Sequence, residues 1–235
     1  MSGAEAIILV GGFGTRLRPL VSDVPKPLAP IRGRPFLAWL LDRVAREGVA
    51  RTVLATGYLS SLIEDAIGRD WQGMRIDYSV ESEPLGTGGA IRLAASRLER
   101  GAAHVLNGDT YLEYAMSDFA SAVEASGCAM GIALAQVDNV CRYGAVATRG
   151  DRVAAFREKG PHGPGLINAG SYYLTARAFA ELPDEAAFSF ETRVLSRSVE
   201  REGVHAFTAT SSFIDIGVPE DYLRADDVIP GRVDA

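Results

Sequence analysis

The first patterned stretch of the chain is an unbroken apolar run at 6–10, "AIILV", too short for a helix; it predicts a strand buried on both faces. Apolar positions at helical spacing predict helices at 35–48, closed by Gly48, at 59–68 and at 89–100. Between them, short runs rich in strand formers predict strands at 51–56, 75–80 and 102–109. The resulting order, β-α-β-α-β-α-β, is that of a parallel sheet with helices laid over it.

Beyond Asp109 the pattern changes. A helix is expected at 116–127, but the runs at 128–137, 143–148 and 152–158 are joined by short turns such as Arg149-Gly150-Asp151, which predicts antiparallel strands. A strand at 166–175, a helix at 190–203, strands at 204–209 and 212–217, and a helix at 219–229 with Pro219 in its first turn complete the reading. No linker, repeat or low-complexity segment divides the chain, so a single domain, 1–235, is expected, with halves at about 1–110 and about 111–235. The fold class expected is α/β: a Rossmann-like, mostly parallel central sheet with helices on both faces, plus a smaller mixed or antiparallel half. Ligands of such sheets bind beyond the carboxyl ends of the strands, so the loops after Val10, Val80, Leu106 and Ile214 should converge on one cleft.

Composition narrows the chemistry. The 235 residues are 47% hydrophobic and 23% charged, ordinary for a folded globular chain with a sizeable core. The net charge of −6 disfavours nucleic acid as a partner, so an anionic ligand has to be caught by local cations and amides. Cys128 and Cys141 are far apart and outside metal-ligand spacing, which argues against a disulfide framework and a zinc site. No stretch approaches the ~20 apolar residues that cross a bilayer, and the N-terminus lacks a basic leader, so a cytoplasmic protein without a membrane partner is expected.

The local catch for an anion follows the first strand directly. Gly11, Gly12 and Gly14 run into Thr15, Arg16, Arg18 and Lys26. The stretch lacks the third glycine of a dinucleotide fingerprint and the Gly-Lys-Ser/Thr close of a P-loop. What remains is a glycine loop whose amides can approach an anion, with Arg16 and Lys26 to neutralise it, and with Pro25 and Pro27 holding the backbone of Lys26 extended. Asp109, in "VLNGDTY", and Asp215, in "SFIDIG", each end an apolar strand. Either alone is an ordinary strand-end residue. Opposite a cationic glycine loop, the pair suits Mg²⁺, which is typically held by one or two carboxylates plus substrate phosphates.

The stretch "GGFGTRLRPLVSDVPKPLAPI" resembles the signature of sugar-1-phosphate nucleotidyltransferases, and "EPLGTGGAI", "LNGDTY", "EKG", "INAGSYYL" and "FIDIGVPEDY" follow in that family's order across essentially the whole chain. The resemblance implies a nucleotide-binding first half and a sugar-binding second half. It implies that Gly11, Gly12, Gly14, Thr15 and Arg16 hold the triphosphate, and that 83–91 is a base loop, with Glu83 and Gly88 against the nucleobase. It places the metal on Asp109 and Asp215, Lys159 on the sugar phosphate and Glu158 on a sugar hydroxyl. Tyr143, Gly144, Asn168 and Gly170 suit a polyol lying close to the main chain. Glu191, in "FSFE", either reaches the sugar or opens a helix with a carboxylate at its positive end.

The reaction implied is transfer of a nucleotidyl group from an NTP to a sugar 1-phosphate, releasing pyrophosphate. A phosphate monoester oxygen is already anionic, so no serine, cysteine or histidine is needed to activate it, and His104, His162 and His205 form no nucleophile–base pattern. The catalytic set expected is Arg16 on the leaving pyrophosphate, Lys26 on the incoming phosphate and Asp109 on the metal. Within the family the chain most resembles the D-glycero-α-D-manno-heptose 1-phosphate guanylyltransferases, which use GTP. A uridylyltransferase acting on N-acetylmuramate 1-phosphate or another hexose 1-phosphate is the alternative. Two rival classes are a nucleotide-sugar-binding regulatory homologue, in which Arg16, Lys26, Asp109 or Asp215 would be expected to be lost, and an NAD-dependent oxidoreductase, for which the third glycine is missing. No β-helical extension follows, so transferase activity alone is expected, with a homodimer as the candidate assembly.

Overall fold

Ala6, Ile8 and Val10 enter one hydrophobic layer and Ile7 enters another, so the first strand is buried on both faces as its unbroken apolar run requires. The structure, a computed structural model, describes residues 3–12, 17, 21, 24–57, 59–157 and 162–231. Its first half runs β1 (Ala4–Leu9), a 3₁₀ turn at Lys26–Leu28, a short hairpin of β2 (Pro30–Ile31) and β3 (Arg34–Pro35), α1 (Phe36–Arg46), β4 (Val49–Thr56), α2 (Ser60–Ile67), β5 (Asp70–Trp71), β6 (Met74–Val80), α3 (Gly86–Ala95) and β7 (Ala103–Asn107). The second half adds β8 (Thr110–Glu113), α4 (Met116–Ser126), β9 (Met130–Val137), β10 (Ala145–Arg149), β11 (Arg152–Arg157), β12 (Gly165–Leu174) and α5 (Ala176–Ala180). A π-helical turn at Glu191–Leu195 then leads into α6 (Ser196–Arg201), followed by β13 (His205–Phe207), β14 (Ser211–Asp215) and α7 (Pro219–Val228).

The main sheet has ten strands in the order β10-β11-β13-β9-β12-β7-β1-β4-β6-β5. β7, β1, β4 and β6 are mutually parallel, and β12 joins antiparallel beside β7, so the mixed half continues the parallel one instead of forming a sheet of its own. Leu40 of α1, Ile63 of α2 and Phe119 of α4 fill the layer on one face. Ile91 of α3, Ala178 of α5 and Leu195 of the π-helical turn fill the other. A third cluster, including Ile31, Trp39, Tyr111, Ile214 and Ala225, packs α7 and the small hairpin against β8 and β14. No helix among the described residues is long and apolar enough to cross a membrane.

Besides short elements that the patterning does not predict, namely β2, β3, β5, β8 and α5, three departures from the sequence-based expectation bear on the site. α3 starts at Gly86, inside the glycine-rich stretch, not at 89. The segment expected as strand 212–217 leaves the main sheet and pairs with β8. Lys26 is not extended between its prolines but opens a 3₁₀ turn, because Pro27 sits at a first-turn position where its missing N–H costs nothing.

Candidate active site

The parallel strands β1, β4, β6 and β7 end on one edge, and backbone bonds carry their register into the loops beyond. Val10 N–H donates to the Ala55 carbonyl at 2.9 Å, Glu81 N–H to Thr56 at 2.8 Å and Gly108 N–H to Leu9 at 2.8 Å. These loops enclose a cleft of about 600 Å³, lined among others by Gly11, Gly12, Lys26, Glu81, Glu83 and Asp109. At Gly12 a Cβ would meet nothing within 4 Å among the described residues. At Gly108 a Cβ would stand 2.6 Å from the Leu9 carbonyl oxygen, so only glycine lets Asp109 emerge this close to the end of β1. Gly14, Thr15, Arg16 and Arg18 lie outside the described residues, as do Glu158 and Lys159.

Asp109 and Asp215 come together through strand pairing. In the antiparallel ladder of β8 and β14, Asp215 opposes Thr110, and Ile216 N–H donates to the Asp109 carbonyl at 3.0 Å. Lys26 Nζ lies 2.5 Å from Asp109 Oδ2, and its side chain is 10% exposed. Asp215 Oδ1 accepts the Gly217 amide at 2.7 Å, and a Cβ on Gly217 would stand 2.7 Å from that oxygen and 3.1 Å from Lys26 Nζ. Gly217, which the motif reading passed over, keeps this corner clear. Burial raises the Asp215 carboxyl above its ordinary value and the charge on Asp109 raises it further, while Lys26 and the Gly217 amide oppose both. Two carboxylates near enough to repel each other, with only oxygen donors, fit a hard divalent cation. Among the described residues no group of three or more His, Cys, Asp or Glu could hold a metal by itself, so phosphate and water oxygens would have to complete the shell.

The base loop differs from its reading as backbone open to a nucleobase. Gly88 is buried, its N–H donates to the Phe188 carbonyl at 2.9 Å, and a Cβ on it would fall 2.1 Å from the Phe188 ring. Its glycine serves packing, and neither its amide nor its Cα faces the cleft. The carboxylate held in the cleft wall is Glu81, which accepts the Leu85 amide at 2.9 Å and is raised above its ordinary value by burial, with that amide opposing. Glu83 also lines the cleft but is exposed. Position 81 escaped the motif reading because it precedes the glycine-rich stretch; the end of β6 at Val80 was the available signal.

A smaller cleft of about 190 Å³ brings together Tyr143, Gly144, Asn168 and Glu191. Asn168 is fixed from both ends, its Oδ1 accepting the Gly170 amide and its Nδ2 donating to the Tyr172 hydroxyl, each at 2.9 Å. Gly170 does not present open backbone to a ligand. It is buried at φ +64° in a bulge of β12, its amide is taken by Asn168, and a Cβ on it would lie 2.4 Å from Asn107 Nδ2. Glu191 opens the π-helical turn, with its carboxylate in the first turn, and also accepts from Thr87 Oγ1 at 2.7 Å and from Ser189 Oγ at 2.9 Å, which ties it to the start of α3.

The chain resembles known proteins along nearly all its length. It is 39% identical over 221 residues to the D-glycero-alpha-D-manno-heptose 1-phosphate guanylyltransferase of Aneurinibacillus thermoaerophilus, covering 94% of this chain and 96% of that one. The Campylobacter jejuni protein of the same name is also 39% identical, over 94% and 97% of the two chains. The crystal structure of HddC from Yersinia pseudotuberculosis superposes with a TM-score of 0.83 at 38% identity, covering 95% of this chain and 98% of that one, and HddC has also been solved complexed with GMP-PN. Residues 5–230 match the nucleotidyl transferase family, and with that match and these relatives the chain belongs to the nucleotidyl transferase family of enzymes.

Proposed function

We propose that the protein transfers a guanylyl group from GTP to D-glycero-α-D-manno-heptose 1-phosphate, giving GDP-heptose and pyrophosphate. The observation that carries this reading is the meeting of Lys26 and Asp109 in a cleft that the glycine loop and Glu81 also line, with Asp215 beside the pair. A carboxylate accepts both the N1–H and the 2-amino group of guanine, whereas uracil offers one donor flanked by two carbonyl oxygens that a carboxylate repels. The relatives that bear the heptose name support the sugar.

In this reading residues to about 110 bind the nucleotide and the remainder binds the sugar, as one catalytic unit. The larger cleft takes GTP, with the amides of Gly11 and Gly12, and Thr15 and Arg16, on the triphosphate. The smaller cleft takes the heptose against Tyr143, Gly144, Asn168 and Glu191, and Lys159 and Glu158 belong to the same site. An oxygen of the sugar phosphate forms the new bond to the α-phosphorus as the α–β bridging bond breaks and its electron pair leaves with pyrophosphate. No proton has to be removed, so the work is positioning two anions and neutralising charge, which falls to Lys26 and Arg16. Asp109 and Asp215 would hold Mg²⁺, which when bound supplies charge neutralisation along the phosphates. GTP and phosphorylated sugars make the cytoplasm the compartment proposed.

The test is pyrophosphate release from each of the four NTPs against heptose, mannose, glucose and N-acetylmuramate 1-phosphates. Turnover should peak with GTP and the heptose, and Asp109→Asn should lower kcat by at least ~100-fold. A maximum with UTP and N-acetylmuramate 1-phosphate would replace this reading with the uridylyl one. GDP-heptose binding without turnover would replace it with a regulatory role.

A further inference from the structure

The first turn of α7 carries a carboxylate that the reaction proposed above leaves unused. Asp221 is 1% exposed, and a charge so deep in a protein is costly unless its pairing is complete. Its partners belong largely to one loop. Arg142 Nη2 donates to Oδ2 at 2.7 Å and Nη1 to Oδ1 at 3.4 Å, and the Tyr143 hydroxyl donates to Oδ2 at 3.0 Å. Arg224, in the same helix, adds a 3.5 Å contact to Oδ1. The positive end of the helix dipole favours the same negative charge.

Stability alone does not call for this arrangement, because apolar side chains of similar volume commonly serve as well as a buried ion pair. What the carboxylate adds is a fixed loop. Arg142 ends a 3₁₀ turn over Val140–Arg142 whose start is capped by Asn139, which accepts the Cys141 amide at 3.1 Å. Tyr143 follows, its ring edge-on to Phe213 with centroids 5.6 Å apart, and Gly144 at φ +82° turns the chain into β10. Tyr143 and Gly144 then form a wall of the smaller cleft, facing Asn168 and Glu191. Phe213 lies in β14, the strand that ends at Asp215, and α7 starts shortly after it. Asp221 thus ties the wall of the smaller cleft to the strand that carries one of the two site aspartates.

We infer that Asp221 is a positioning residue for the sugar: through Arg142 and Tyr143 it sets the wall against which the sugar lies, and so controls affinity for the sugar 1-phosphate without touching it. This inference rests on the reading of the smaller cleft as the sugar pocket. Asp221→Asn keeps the size and one acceptor oxygen but removes the charge that holds Arg142. With GTP and D-glycero-α-D-manno-heptose 1-phosphate, the sugar-phosphate KM should rise about tenfold while the GTP KM and kcat stay within about threefold. Tyr143→Phe should raise the same KM severalfold alone and add nothing in the Asp221→Asn background, because both changes break one linkage. Independent, additive effects, an equal rise in both KM values, or a lowered Tm with unchanged KM would each overturn the inference. If Asp221→Asn does not fold, Tyr143→Phe decides, and an unchanged sugar-phosphate KM overturns it. Asn168→Ala separates the two readings. A raised sugar-phosphate KM in that variant with none in Asp221→Asn sinks the inference and leaves the pocket standing, whereas an unchanged KM in Asn168→Ala sinks the pocket.

Discussion

The hydroxyl of Thr87 donates to Glu191 Oε2 at 2.7 Å across 104 residues of chain and accepts the Phe190 amide at 2.9 Å, so one side chain joins the wall of the larger cleft to that of the smaller one. Thr87→Val keeps the shape and removes both bonds. It should cost about 1–2 kcal/mol of stability, seen as a drop of several degrees in Tm. If Glu191 faces the sugar, the same change should raise the sugar-phosphate KM severalfold in steady-state assays. A lowered Tm with both KM values intact would leave Glu191 a structural residue.

Glu81 and Glu83 both line the larger cleft, but among the described residues only Glu81 is anchored by a backbone amide. Hydrogen bonds to a charged group are worth about 1.5–3 kcal/mol, so Glu81→Gln should lower kcat/KM for GTP roughly 10- to 100-fold and narrow the preference over UTP. Glu83→Gln should leave both nearly unchanged. The reverse ranking would return base reading to position 83.

The elements that sequence patterning found are those whose signal is local. The unbroken run at β1 and the alternating helices and strands through β7 needed only nearest neighbours to be read. Pro30 and Pro35 hid the β2–β3 hairpin, since proline argues against a strand except at an edge. Asp109 and Asp215 were paired from their strand-end settings and the family motifs, but what brings them together is the register of β14 against β8, which no local pattern encodes. The same distance effect misled the reading of the glycines: the space above Gly88 is set by Phe188 and that above Gly170 by Asn107, contacts made only on folding.

Gly88→Ala follows from that packing. A methyl group would overlap the Phe188 ring, so the segment after Ala186 would have to shift, at a cost of about 1–3 kcal/mol. The expected result is a lower Tm with the GTP dissociation constant little changed. Weakened GTP binding at unchanged Tm would restore the direct contact.

His104 should make the fold acid-sensitive. Burial, aided by the positive charge of Arg43, lowers its pKa from 6.5 to about 3, between the rings of Tyr173 and Phe119. Below 6.5 the unfolded chain takes up a proton that the folded state refuses, so stability falls as pH drops through this window and the loss is complete only near 3. Replacing the ring in His104→Leu should shrink the stability difference between pH 7 and pH 5 by roughly 2 kcal/mol in denaturant titrations. An unchanged difference would mean that the ring is protonated in place.

Asp215 should behave in the opposite sense. Its folded pKa is raised, so the folded state holds the proton more tightly than the unfolded chain; the cost of ionising it is absent below the ordinary carboxylate range and fully in force above the folded value. At pH 7 without metal, Asp215→Asn should therefore raise Tm, because the neutral amide keeps an oxygen for the Gly217 N–H and ends the repulsion with Asp109. The same variant should lose at least ~100-fold in kcat and most of the further Tm increase that Mg²⁺ gives the wild type in the presence of GTP. A variant that is less stable than wild type would overturn the electrostatic cost assigned to Asp215, and one that keeps its Mg²⁺-dependent Tm shift would remove Asp215 from the metal site.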